Sequence, residues 1–166
     1  MIKELLVSKT RGLNLRNGLK IGAFVLVWMM GLNPSLLMGG VGLEAGWTRG
    51  VAVGSDRIAV YGIVTNDTER PVEIVDFAMP GAAHVMLHES VLENGRMRMR
   101  HIDGFVVPPQ GRTQLEPLGL HLMVMGLDQA PDVGDRLSIL AEDAGGNIHE
   151  LVFTVQSLDS LEFEDN

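Results

Sequence analysis

The sequence predicts an all-β protein, a sandwich or barrel of about eight short strands behind an apolar N-terminal segment. Three observations carry that expectation. Beyond residue 56 the chain falls into short runs rich in Val, Ile, Leu and Met, the length and composition of strands. Clusters of Gly, Pro, Asn and Asp separate the runs, and these residues mark turns because they preset or tolerate turn dihedrals. No stretch of the same region repeats its apolar residues with the 3.6-residue period of an amphipathic helix.

Taken in order, strands are expected over residues 58–64 (IAVYGIV), 72–77, 85–92, 96–101, 112–115, 121–127, 137–141 and 151–155. The turns between them read Thr65-Asn66-Asp67, Met79-Pro80-Gly81, Asn94-Gly95, Pro108-Pro109-Gln110-Gly111, Pro131-Asp132 and Gly145-Gly146-Asn147. Asn94-Gly95 is the strongest of these signals, because both residues tolerate the positive φ of a tight primed hairpin turn.

The N-terminal segment has a different character. Lys3, Lys9, Arg11, Arg16 and Lys20 precede residues 21–43, which carry no charge and begin IGAFVLVWMM. A basic stretch followed by an apolar run is the pattern of a secretory signal, and the run is also long enough to span a bilayer as an uncleaved anchor. Asn33-Pro34-Ser35 interrupts it, and cleavage would fall after Gly40 or Ala45. The expected organisation is a signal peptide or membrane anchor over 1–40, a β-domain over 41–158 and an acidic tail over 159–166. The domain is then exported to the periplasm, and it meets the membrane only through an uncleaved leader.

From Val41 onward the chain holds 8 basic and 20 acidic residues, a formal charge of −12. Such a surface repels nucleic acid and anionic lipid. The chain has no cysteine, which removes disulfides, thiolate metal sites, iron–sulfur clusters and cysteine nucleophiles. Hydrolytic motifs such as G-x-S-x-G and H-E-x-x-H are absent too, so an enzyme is not expected.

Strand alternation then isolates one chemistry. Residues two apart share a face of a strand. His84, Met86 and His88 therefore point one way, as do Met97 and Met99, and as do His121, Met123 and Met125. Of the six methionines after residue 41, five lie between His84 and Met125, together with four of the five histidines. Imidazole nitrogen with thioether sulfur makes a soft, neutral donor set, which selects Cu(I) over Zn, Mg or Ca. A blue-copper site would require a cysteine thiolate, so electron transfer of that type is excluded.

The spacing is more specific still. His88, Met99, His121 and Met123 stand as H-x10-M-x21-H-x-M, and a preset pattern of this kind arises by chance in about one chain in two thousand. It resembles the motif of the PCuAC-type periplasmic copper chaperones. LHESVLENGRMRM is similar to that family's hairpin, PPQGRTQLEP to its following turn and strand, and HLMVMGL to its second ligand strand; Trp47 and VYGIVTN also fall where the family has an early tryptophan and first long strand. The resemblance covers residues 47–155. It implies a cupredoxin-like β-sandwich, expected to be monomeric, that binds one Cu(I) through His88, Met99, His121 and Met123. It also implies delivery to the CuA centre of a cytochrome c oxidase subunit, alongside a thioredoxin-like copper protein. Pro117-Leu118-Gly119-Leu120 and Glu89 depart from the family pattern, as does the lack of a Met/His-rich tail. Met97 and Met125 read as packing residues, His84, Met86 and His101 as surface or supporting residues, and His149 as an exposed strand residue. The competing reading is a metal-independent β-sandwich of the envelope that binds a protein partner.

Overall fold

The computed structural model describes residues 40–52 and 54–163, so the leader or anchor helix expected over 1–40 lies outside the described residues apart from Gly40. The fold is all-β. Ten strands follow in chain order: β1 (Val41–Arg49), β2 (Arg57–Asn66), β3 (Val72–Ala78), β4 (Ala82–Glu93), β5 (Arg96–His101), β6 (Phe105–Val107), β7 (Gly111–Leu115), β8 (Leu120–Leu127), β9 (Arg136–Asp143) and β10 (Ile148–Gln156). Each of the eight expected runs lies in one of them. Asn94 and Gly95, with φ of 52° and 76°, make the turn between β4 and β5 that the sequence called for.

Strands β1 and β6 are additional. β6 has three residues, too few to show a period. β1 reads VGLEAGWTR, and two glycines with a left-handed Ala45 (φ 46°) break its alternation. Partners make it a strand: it pairs antiparallel with β2, with a register shift between Glu44 and Trp47, and parallel with β10. Because Val41 to Glu44 already pair with β2, a cut after Ala45 would strip half the strand, whereas one after Gly40 leaves it whole.

The strands hydrogen-bond in the order β5-β4-β8-β2-β1-β10-β9-β3-β6, and β7 also pairs with β2. β2 changes partner along its length: residues 57–60 pair with β8 and residues 62–66 with β7. Alternate residues from both ends of this order meet in one apolar cluster. Val60, Leu87, Leu122 and Val124 meet Ile74, Phe77, Phe105, Ile139 and Phe153 there, so the sheet wraps around a single core. Asn66, the last residue of β2, is buried, its side-chain amide nitrogen within 2.7–3.2 Å of the carbonyls of Arg70, Val107 and Pro108. Past β10, Ser160 is buried and its carbonyl accepts a 2.8 Å hydrogen bond from Arg49 Nε.

Gly46 is a tight point of the wrap. A Cβ there would lie 2.4 Å from the Val152 carbonyl oxygen and 2.6 Å from Leu43 Cδ2, distances that force backbone apart. Gly46→Ala is therefore expected to destabilise the domain by about 1–3 kcal/mol, read as a lower midpoint in urea. An unchanged midpoint would show that β1 docks more loosely than this contact requires.

Candidate metal centre

The His and Met residues gather on one face because three strands alternate in register. Across β4 and β8, His84 faces Met125, Met86 faces Met123, and His88 faces His121. Across the β4–β5 hairpin, His88 faces His101, Ser90 faces Met99, and Leu92 faces Met97. Opposed residues share a face of a sheet. On these strands the other face sends Leu87, Leu122 and Val124 into the core, and the His/Met face is the outer one. The arginines of β5 lie on the opposite face from its methionines, where Arg100 bonds Glu89 at 2.7 Å and Arg98 approaches Glu93 at 3.6 Å.

Three imidazoles form a row across this face, in the order His101, His88, His121. The His88 ring centre lies 6.0 Å from each neighbour, at interplanar angles of 86° and 85°. Burial grades along the row. His121 is 3% exposed, walled by Tyr61 at 6.2 Å, which in turn packs against Trp47 at 4.9 Å. Burial pushes the Tyr61 phenol above its usual range despite the opposing charge of Arg49, which keeps that wall neutral. His88 is half-buried and His101 is exposed on the edge strand.

Two details fix the state of the rings. His121 Nδ1 lies 3.0 Å from the carbonyl oxygen of Gly119. A carbonyl can only accept, so Nδ1 carries a proton, and the neutral tautomer this selects has its lone pair on Nε2. His88 Nδ1 is buried and has no hydrogen-bond partner in the protein. Burial holds the His88 pKa below the usual imidazole value, and the charges of His121 and His101 lower it further, so the ring is neutral at pH 7.

His88 is the hub of the four expected ligands. His121 opposes it directly, and Met99 and Met123 are its diagonal neighbours on β5 and β8. Such diagonals span about 7–8 Å, within reach of long side chains. The two methionines lie on opposite sides of the histidine row, so each must lean toward His88 to share one ion with it. Met99 is 53% exposed while Met123 is half-buried. Among the described residues, no three His, Asp or Glu side chains gather in a way that could hold a metal.

His101 is exposed on the edge strand, as expected of a surface residue, and its ring ends the row beside His88. Counting outward from a two-residue turn at 94–95 pairs it with His88, so the signal was present. Met86 faces Met123 across β4 and β8 and is half-buried. His149 corrects the expectation of an exposed strand residue. Its Nε2 lies 3.1 Å from Asp143 Oδ2, with side-chain exposures of 15% and 9%. Burial raises the Asp143 pKa, but hydrogen bonds from Asn147 and His149 overcome this and hold it at about 2. This pair closes the β9–β10 turn beside a groove of about 1160 Å³ that none of the β4, β5 or β8 residues line.

Residues 41–147 match the LpqE-like family, described as "Putative lipoprotein LpqE-like". A curated relative, "Putative lipoprotein Lxx21020" of Leifsonia xyli subsp. xyli, is 28% identical over 124 residues, 74% of each chain. Among solved structures, the copper-bound PCuAC domain from PmoF2 superposes with a TM-score of 0.58 at 19% identity, covering 72% of this chain and 94% of that one. The solution structure of CuI-DR1885 from Deinococcus radiodurans gives 0.56 at 24% identity, covering 78% and 85%. At these identities the likeness establishes the fold, that of the cupredoxin-like PCuAC domains.

Proposed function

The chain belongs to the LpqE-like family, and from that premise we propose that it carries copper(I) in the cell envelope, holding one ion through His88, Met99, His121 and Met123. The observation that carries the reading is the His88 Nδ1, buried without a partner at the centre of a face of thioethers and imidazoles. A buried polar atom left unpaired costs about 1–3 kcal/mol, and a bound ion is what such a strand position would accommodate. The Gly119 carbonyl supports the reading by engaging Nδ1 and leaving Nε2 of the neutral His121 ring to bind an ion. The solved PCuAC domains support it by their fold and by the copper that two of them are described as holding.

All four donors are neutral. Two thioethers make the set soft enough to prefer Cu(I), and the lack of a thiolate keeps the ion exchangeable. Its role is therefore carriage, with no bond made or broken in a substrate, and the recipient we propose is the CuA site of a cytochrome c oxidase subunit or a thioredoxin-like copper protein. Placement in the envelope is supported by the basic and apolar N-terminal pattern and by the descriptions of the relatives as lipoproteins. With no cysteine in the 166 residues, these residues offer no thiol for a lipid anchor, and the apolar run at 21–43 is the segment that would meet the membrane.

Thermal unfolding with and without one equivalent of Cu(I) tests the reading. An ion that binds only the folded state raises the melting temperature. No rise would leave the metal-independent partner-binding reading, which the exposure of Leu92, Met97 and Met99 on one face favours. The pH profile gives a second check. Protons compete with copper for a neutral imidazole, and the His88 pKa is lowered in the fold. Its share of the affinity loss must then develop below about pH 6.5, the free imidazole value. The same sign holds for stability: below about 6.5 the unfolded chain takes up a proton that folded His88 resists, so stability falls as pH descends. Copper competition with a colorimetric chelator between pH 5 and 8 reads the profile, and a flat curve would count against histidine ligation.

A further inference from the structure

We propose that His101 is the exchange ligand of this site: copper passes between the buried ligand set and an acceptor at the β5 edge by trading His121 for His101 on the shared His88. The proposal rests on the carrier reading above and adds the route by which the ion leaves.

Three observations carry it. First, His88 has two equivalent neighbours. His101 and His121 oppose it in the same register, with ring centres 6.0 Å away on either side. Two imidazoles bound end-on to one ion at metal–nitrogen distances near 2.0 Å have ring centres about 6 Å apart when nearly linear, and Cu(I) imposes little geometry of its own. Either pairing is therefore within reach of a two-imidazole copper site. Second, the neighbours differ in access. The His121 residue is 3% exposed, whereas the His101 side chain is 54% exposed. Third, His101 stands on the edge strand of the sheet, on the same face as Met97 and Met99, which are 48% and 53% exposed. Soft donors thus run from a closed interior to an open rim.

This arrangement addresses a problem any carrier faces. Cu(I) held by His121 and Met123 inside a wall of Tyr61 and Trp47 cannot be reached by an acceptor from that side. Dissociation into water would expose a free ion. Exchange of one imidazole for another beside His88 keeps the ion among protein donors, and it moves the ion toward the rim. No electron is transferred; one coordinate bond to His121 breaks as one to His101 forms. The Asp103 carboxylate lies 3.7 Å from His101 Nε2, beyond hydrogen-bond distance, so the ring stays free to meet the ion.

The experiment compares the full chain as wild type, His101→Ala and His101→Met, each loaded with one Cu(I). Copper is withdrawn by excess bathocuproine disulfonate in a stopped-flow cell, and affinity is measured separately at equilibrium. Since His101 belongs to the path and not to the resting set, His101→Ala should slow release about tenfold while affinity changes less than threefold. Detailed balance then requires loading to slow by a similar factor. His101→Met, which restores a soft donor at the rim, should recover most of the rate. Release from His101→Ala at the wild-type rate would overturn the proposal, and so would equal slowing by His101→Met. An affinity loss above thirtyfold in His101→Ala would make it a resident ligand and overturn the exchange role. If wild type itself takes up no Cu(I), the carrier reading fails before this comparison begins, so the two failures are distinct.

Discussion

Replacing His121 and Met123 together by alanine should abolish stoichiometric Cu(I) binding, with affinity falling on the order of 100-fold or more. The two residues sit on one strand and one face, with Leu122 between them pointing into the core. Removing both leaves His88 with Met99, an exposed thioether on the edge arm. Loss of even an outer-shell partner of a metal ligand costs 10–100-fold, so loss of two direct ligands should exceed that range. His121 also brings the Gly119 hydrogen bond that sets its tautomer, and no neighbouring side chain supplies that orientation. Met97→Ala and Met125→Ala serve as controls. Each lies on the His/Met face but outside the motif, and each should retain one copper per chain. A double variant that still bound one Cu(I) with wild-type affinity would refute the ligand assignment and place the ion elsewhere on the face.

How much of this face was legible in the sequence depends on which interactions made it. The His/Met alternation of β4, β5 and β8 is local, since a strand's period of two fixes which side chains share a face. The β4–β5 pairing is nearly local, because Asn94-Gly95 sets both the turn and its register. His101 was therefore within reach of counting, and only its neighbourhood went undrawn. The β4–β8 pairing is different. Twenty-six residues, including β5, β6 and β7, separate the strands, and no local rule says that His88 should oppose His121. Spacing in the motif carried that information, while the physical cause is the wrapping of the whole sheet. β1 was illegible for a related reason. Its Gly46 is dictated by the close approach of Val152, a partner more than a hundred residues away. The Asp143–His149 bond across the β9–β10 turn was missed because a histidine on a short strand reads as exposed until a carboxylate is known to face it.

Leu122→Ala should show that the ligand face depends on the core behind it. Leu122 is fully buried between the two ligands of β8, and truncating a leucine in such a site costs about 2–5 kcal/mol, from lost transfer energy and from the cavity left behind. In a domain of this size each kcal/mol lowers the melting temperature by several degrees, so a drop of about 10 °C or more is expected for the copper-free protein. The four ligands and the Gly119 hydrogen bond are untouched by this change, and copper should still bind. At a free Cu(I) concentration a thousand times its dissociation constant, binding contributes about 4 kcal/mol, comparable to the loss. The copper-dependent rise in melting temperature should therefore survive in Leu122→Ala and vanish in the His121 and Met123 double variant. The two variants separate the strand's two faces: one removes stability and keeps the response to copper, the other keeps the core and removes the response. A Leu122→Ala protein as stable as wild type would mean that β8 is held by its backbone pairing alone, and that the register bringing His121 opposite His88 does not depend on the core.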